Sequence, residues 1–163
     1  MNRLFLIVAV AAIAGCASTG ADLVPGKSTT ADVEREMGKP AERIGAAGGD
    51  TVWYYPRGLA RTTYAVRIGA NGVVRDVNQV LTQANLAKLQ IGKSTKEDVK
   101  AILGPPFSVY QLPRVQREGW EYYMLQDTRP KVTYVQFDPS GRVSEVMQID
   151  DPFYQSRGAG HAS

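Results

Sequence analysis

One cysteine, Cys16, and one histidine, His161, are all that the 163 residues offer of the two side chains that build most transition-metal sites. A single thiol excludes a disulfide framework within the chain, and no His/Cys cluster with metal-ligand spacing exists. His161 stands near the C-terminus among Gly, Ala and Ser, where no carboxylate or nucleophile would orient it for acid–base work. No apolar run is long enough to span a bilayer as a helix; the first, residues 4–13, is about half that length. Charge is thin as well. Lys and Arg number 19 against 16 Asp and Glu, scattered rather than gathered on one face, which excludes a dedicated nucleic-acid binder. No enzyme activity, catalytic residue, metal or cofactor is expected.

What is present in duplicate is Gly-Lys-Ser-Thr, at 26–29 and 92–95, each time running into an apparent helix. This is the second half of a phosphate-binding P-loop. The complete loop needs a further glycine five residues earlier so that its backbone N–H groups can wrap the phosphates, and those positions hold Ala21 and Ala87. Nucleotide binding is therefore excluded, and two failures of one kind indicate a repeat.

Superposing the two segments aligns Gly26 with Gly92, Asp32 with Asp98, Val33 with Val99, Met37 with Leu103, Gly38 with Gly104 and Pro40 with Pro106. Trp53 and Tyr55 then answer Trp120 and Tyr122, and VRIGANGVVRDV from Val66 answers VQFDPSGRVSEV from Val135. A period of about 70 residues, used twice, reads as tandem domains rather than a solenoid. Thr29 with Asp32, and Thr95 with Asp98, have the spacing of a helix N-cap and its reciprocal carboxylate. Val33 and Met37, or Val99, Ile102 and Leu103, give each short helix one apolar stripe, and Gly38 and Gly104 stop it. A helix this short needs a sheet to pack on. The period-two runs around Trp53 and Tyr55, Tyr64 to Ile68, Trp120 and Tyr122, and Thr133 to Phe137 supply the strands. In the last strand of each unit Val77 and Val146 fall out of phase with Val74 and Val143, which implies a bulge. The second unit adds a preceding helix in LTQANLAKLQI. In the first unit Leu23 and Val24 dock where Leu89 and Gln90 stand.

The fold class read from these patterns is α+β: two tandem modules, each of one or two short helices packed on a three- to four-stranded antiparallel sheet. The first module covers 23–80 and the second 81–150, followed by a flexible tail over 151–163.

Residues 1–15 have the layout of an export signal, one arginine and then the apolar run. Ile13-Ala14-Gly15-Cys16 resembles the bacterial lipobox, with isoleucine where leucine is commonest. The resemblance implies lipidation of Cys16, a membrane attachment through it and a tether over 16–22. Ala17 after the cysteine implies the periplasmic face of the outer membrane. The tryptophans read as core anchors, whereas Tyr54, Tyr123 and Tyr134 alternate onto the opposite face and are the candidate partner-binding residues.

The helix with its Gly-Lys-Ser-Thr start and Leu-Gly-x-Pro end, the Trp-x-Tyr strand and the terminal hairpin together resemble the BamE family of outer-membrane lipoproteins, also called SmpA/OmlA. The match is fullest over 81–149; in the first unit the leading helix is missing. The resemblance implies helices on a three-stranded antiparallel sheet and a non-enzymatic role beside protein partners in β-barrel assembly. Two modules stand where the family usually has one, and Lys27 and Lys93 replace a common methionine. Tandem modules of this build also resemble the β-lactamase inhibitory proteins. The expected function is a lipid-anchored scaffold or protein-binding module of envelope biogenesis; an enzyme-inhibitor-like binder and a structural link between membrane and cell wall are the alternatives.

Overall fold

The computed structural model describes residues 18–154, so Cys16 and His161 lie outside the described residues. Both modules form. In the first, α1 (Thr30–Met37) precedes a sheet of β1 (Glu42–Gly45), β2 (Thr51–Arg57), β3 (Thr62–Ile68) and β4 (Val74–Gln79), antiparallel and in that spatial order. In the second, α2 (Gln83–Leu86) and α3 (Lys96–Leu103) precede β5 (Ser108–Leu112), β6 (Arg117–Gln126), β7 (Arg129–Phe137) and β8 (Val143–Asp150), ordered alike. The edge strands β1 and β5 complete four-stranded sheets. The helix expected within 81–91 is a single turn whose N-cap is Thr82.

Each long helix starts on a full capping box. The Thr29 hydroxyl accepts from the Asp32 N–H, and the Thr29 N–H donates back to the Asp32 carboxylate at 2.8 Å; Thr95 and Asp98 repeat this at 2.9 Å. The ends also match. Gly38 and Gly104 turn the chain at φ 79° and 83°, which a residue with a Cβ rarely adopts. The hydroxyls of Tyr55 and Tyr122 donate to the carbonyls of Gly38 and Gly104, each at 3.2 Å, so a core tyrosine ties the end of each helix to its sheet. Burial pushes the Tyr55 hydroxyl up to about 12 and moves that of Tyr122 upward too.

The twin Gly-Lys-Ser-Thr loops pin the start of each helix to the start of the last strand. The Gly26 N–H donates to the Val74 carbonyl, and the Val74 N–H returns a bond to Ser28, both at 2.8 Å; Gly92, Val143 and Ser94 do the same at 2.7 and 2.8 Å. The serine hydroxyls accept from Val24 and Gln90 N–H at 2.9 and 3.0 Å. Backbone donors that a phosphate would need are thus engaged within the module.

Beneath α1 lie Leu23, Trp53, Tyr55, Val66, Ile68 and Val74; beneath α3 lie Leu81, Trp120, Tyr122, Met124, Val135 and Phe137. The last strands contain the expected bulges. Arg67 pairs with Asp76 but Ile68 with Val74, leaving Arg75 extra, and Ser144 is extra at the same place in β8. The added residue brings both Val74 and Val77, and both Val143 and Val146, onto the core side.

Two boundaries differ from expectation. Within the stretch read as a tether, Gly20 is buried, and a Cβ there would come within 2.9 Å of Met37 Sδ. At the other end Asp151 is buried rather than part of a free tail. It pairs with Arg61 from the β2–β3 turn, both side chains less than a tenth exposed, and a helical turn at 152–154 follows. The Arg61 guanidinium lies over the rings of Tyr123 (5.1 Å) and Tyr154 (4.8 Å), so first-module cation, second-module ring and second-module carboxylate form one clamp. Charge, once buried, had to be paired, and that need draws the start of the tail inward.

Two measurements check these anchors. Bonds from Thr29 N–H, then Arg35, then the Thr29 hydroxyl lower Asp32 from 3.8 to about 2. The cap's stabilisation is therefore present above the ordinary carboxylate value and lost as pH falls through about 2; NMR titration of Asp32 with a midpoint near 3.8 would contradict the box. Asp151→Ala, which leaves Arg61 buried without its anion, is expected to cost about 3–5 kcal/mol in urea unfolding, with Arg61→Met plus Asp151→Leu restoring most of it.

Candidate partner-binding surface

Each sheet has one face under its helix and one face turned away. On the first sheet the second face is covered around Tyr54, with a cavity of about 250 Å³ left beside it between Ile44, Ala65, Arg67 and Ala101 of α3. Tyr54 is 2% exposed and sits with Val52 and Ala65 in a separate small cluster, roofed by the second module. A Cβ added at Gly104, the end of α3, would lie 2.7 Å from Thr63 Cγ2 and 3.2 Å from Tyr54 Cδ1, which is why the chain must be bare there. Lys100 of α3 reaches Glu42 of β1 at 2.8 Å. Tyr54, expected on a free surface, is thus part of the contact between modules, and burial raises its pKa first of all.

The corresponding face of the second sheet carries Tyr123 and Tyr134, both half-buried, as the sequence placed them. The structure adds Tyr110 and Phe107. Tyr110 lies across Gly119, its partner in the β5–β6 register, so closely that a Cβ on Gly119 would sit 2.1 Å from Tyr110 Cζ. Its ring meets Tyr134 edge-on at 6.1 Å, and Phe107 meets Tyr123 edge-on at 4.7 Å. Met147 and Ile149 pair with Tyr134 and Val132 and are about two-fifths exposed (41% and 38%), extending the apolar surface to the β8 edge.

Charge on this face is acidic at its centre. Glu121 pairs with Tyr134 in the register and accepts from the Ser108 hydroxyl at 2.7 Å; Glu145 is held by Arg117 at 2.9 Å. Partial burial is the first cause that pushes the hydroxyls of Tyr110, Tyr123 and Tyr134 upward, and the negative charge of Glu121 adds to it in all three. The tyrosines therefore stay neutral donors. Such a surface suits the binding of a protein segment, with apolar area from the rings and direction from hydroxyls and carboxylates. Among the described residues no group of three His, Cys, Asp or Glu side chains is placed to hold a metal ion.

Sequence reading missed Tyr110 because β5 was not anticipated. The signal was there in SVYQL, which alternates around Tyr110, and in the glycine at 119 opposite it. Lys27, Lys93, Ser28 and Ser94 belong to the loops that pin helix to strand and do not converge on this face.

Residues 78–147 match the family model described as the outer membrane protein assembly factor BamE domain. That span is a BamE-like module and contains the whole second sheet up to Met147, Tyr110 and Tyr134 included. No curated protein matches the chain. Two solved structures are similar at a low level: a DUF4309 family protein (YjgB) from Bacillus subtilis, with 17% identity, 82% of this chain and 86% of that one covered, and TM-score 0.33; and an extracellular protein containing a SCP domain from Bacillus anthracis, with 14% identity, 95% of this chain covered and TM-score 0.33. This chain spans about half (51%) of the latter.

Gly119→Ala tests how the face is built. The Cβ is expected to displace the Tyr110 ring and abolish its contact with Tyr134, seen as loss of ring-to-ring NOEs. Overpacking is expected to cost about 1–3 kcal/mol if the ring cannot swing clear, and less if it can.

Proposed function

Since residues 78–147 form a BamE-like module, we propose that this chain is a non-enzymatic scaffold of outer-membrane protein assembly, lipid-anchored through Cys16 on the periplasmic face. In this reading the anchor supplies location and the face around Tyr110, Tyr123 and Tyr134 supplies recognition of a protein partner, an assembly component or another envelope protein. The observation that carries it is the contrast between the two sheets. The face that the first sheet covers with a protein contact around Tyr54 is covered on the second only where Arg61 lies over Tyr123, and beyond that it is furnished with the rings of Tyr110 and Tyr134. Aromatic residues in partly desolvated settings are the ones that carry binding energy at interfaces.

The inhibitor-like alternative asks for a continuous concave surface across both sheets. The first sheet's outer face is occupied at its middle by the second module, which favours the scaffold reading. No cofactor enters either account.

Two outcomes are expected. Cys16→Ala transfers the protein from the outer-membrane fraction to the soluble periplasm, and continued membrane retention would remove the anchor from the proposal. Tyr134→Asp lowers recovery of partner proteins in affinity purification of the anchored chain by tenfold or more without changing Tm by more than a few degrees; unchanged recovery of the same partners would exclude this face.

A further inference from the structure

At the start of the described chain, Ser18 is fastened to the folded domain. Its hydroxyl donates to Glu36 of α1 at 2.8 Å, and its carbonyl accepts from Arg57 at 2.9 Å. Arg57 is the last residue of β2, and the turn just beyond it carries Leu59, whose side chain is fully exposed. An apolar groove of about 420 Å³ runs beside it, lined by Thr19, Pro56, Leu59, Ala60 and Tyr64. Phe107, two-thirds exposed, borders the same turn, since Pro56, Arg61 and Phe107 line one small cavity. Arg57 also reaches the Met37 carbonyl at 3.5 Å, which brings the end of α1 and the exposed Lys39 to this end of the first module.

Cys16 precedes Ser18 by two residues, so the backbone between them spans no more than about 7 Å. An acylated Cys16 must sit at the membrane surface, and with so short a link Ser18 and the turn fastened to it lie there too. We propose that the β2–β3 turn is a bilayer-docking element: Leu59 enters the interfacial layer of the membrane, the apolar groove faces lipid, and the exposed Lys39 meets anionic headgroups. The anchor then fixes the orientation of the protein as well as its location. This inference rests on the acylation of Cys16 proposed above.

The test uses the full acylated chain in vesicles of phosphatidylethanolamine and phosphatidylglycerol. An environment-sensitive fluorophore is attached at Leu59→Cys, or at Lys27→Cys in the loop before α1 at the opposite end of the helix; the sulfur of Cys16 is occupied by lipid. The expected result is a blue-shifted emission at 59 and quenching by a lipid-borne quencher several-fold stronger than at 27. Equal, water-like emission at both positions in protein that floats with the vesicles would overturn the docking surface while leaving the anchor intact. Failure of the protein to float would overturn the anchor, and the docking surface with it.

Discussion

The paired backbone hydrogen bonds between each Gly-Lys-Ser-Thr loop and the first residue of the last strand hold the rest of the structure in place. They join elements far apart in sequence, Gly26 to Val74 and Gly92 to Val143, and they fix where the helix begins above the sheet. From that point the capping box sets the helix, the apolar stripe falls on the Trp-x-Tyr strand, and the tyrosine hydroxyl receives the helix end. Helices of eight residues have little stability of their own, so position on the sheet, rather than propensity, accounts for their existence.

With both modules built on one plan, their differences lie in the faces turned away from the helices. Ala65 in the first sheet corresponds to Tyr134 in the second through the registers with Tyr54 and Glu121. A methyl group lets the end of α3 approach and bury Tyr54; a phenol ring stands in the way of the same approach. Gly104 on the incoming side completes the fit, since its φ of 83° and missing Cβ are required by helix termination and by the neighbouring Thr63 together. One glycine thus serves local and tertiary structure at once, a consistency that marks a well-specified fold.

Much of this was legible in the sequence because it rests on local rules. Thr-x-x-Asp spacing, glycine after the last apolar residue and Trp-x-Tyr alternation each have one dominant physical reading, and the out-of-phase valines forced a bulge before its position was visible. The edge strands were not legible, since Glu42–Gly45 has no buried side and Ser108–Leu112 depends on a facing glycine. The fate of Tyr54 was not legible either. Alternation told which face it occupies, but what covers that face is set by packing between modules. Asp151 looked like the start of a polar tail because its partner, Arg61, lies ninety residues earlier on a turn.

The contact between modules is heterologous: the end of a helix on one unit meets the back of a sheet on the other. The same contact repeated would give a ring or an open row according to the rotation between units, because the two surfaces that meet are different. The molecule accordingly has polarity, with a used socket inside and an unlike surface at its far end. The side chains on β5 to β8 differ from those of the socket, so the bulk of Tyr110 and Tyr134 works against a repeat of the same contact on the second sheet.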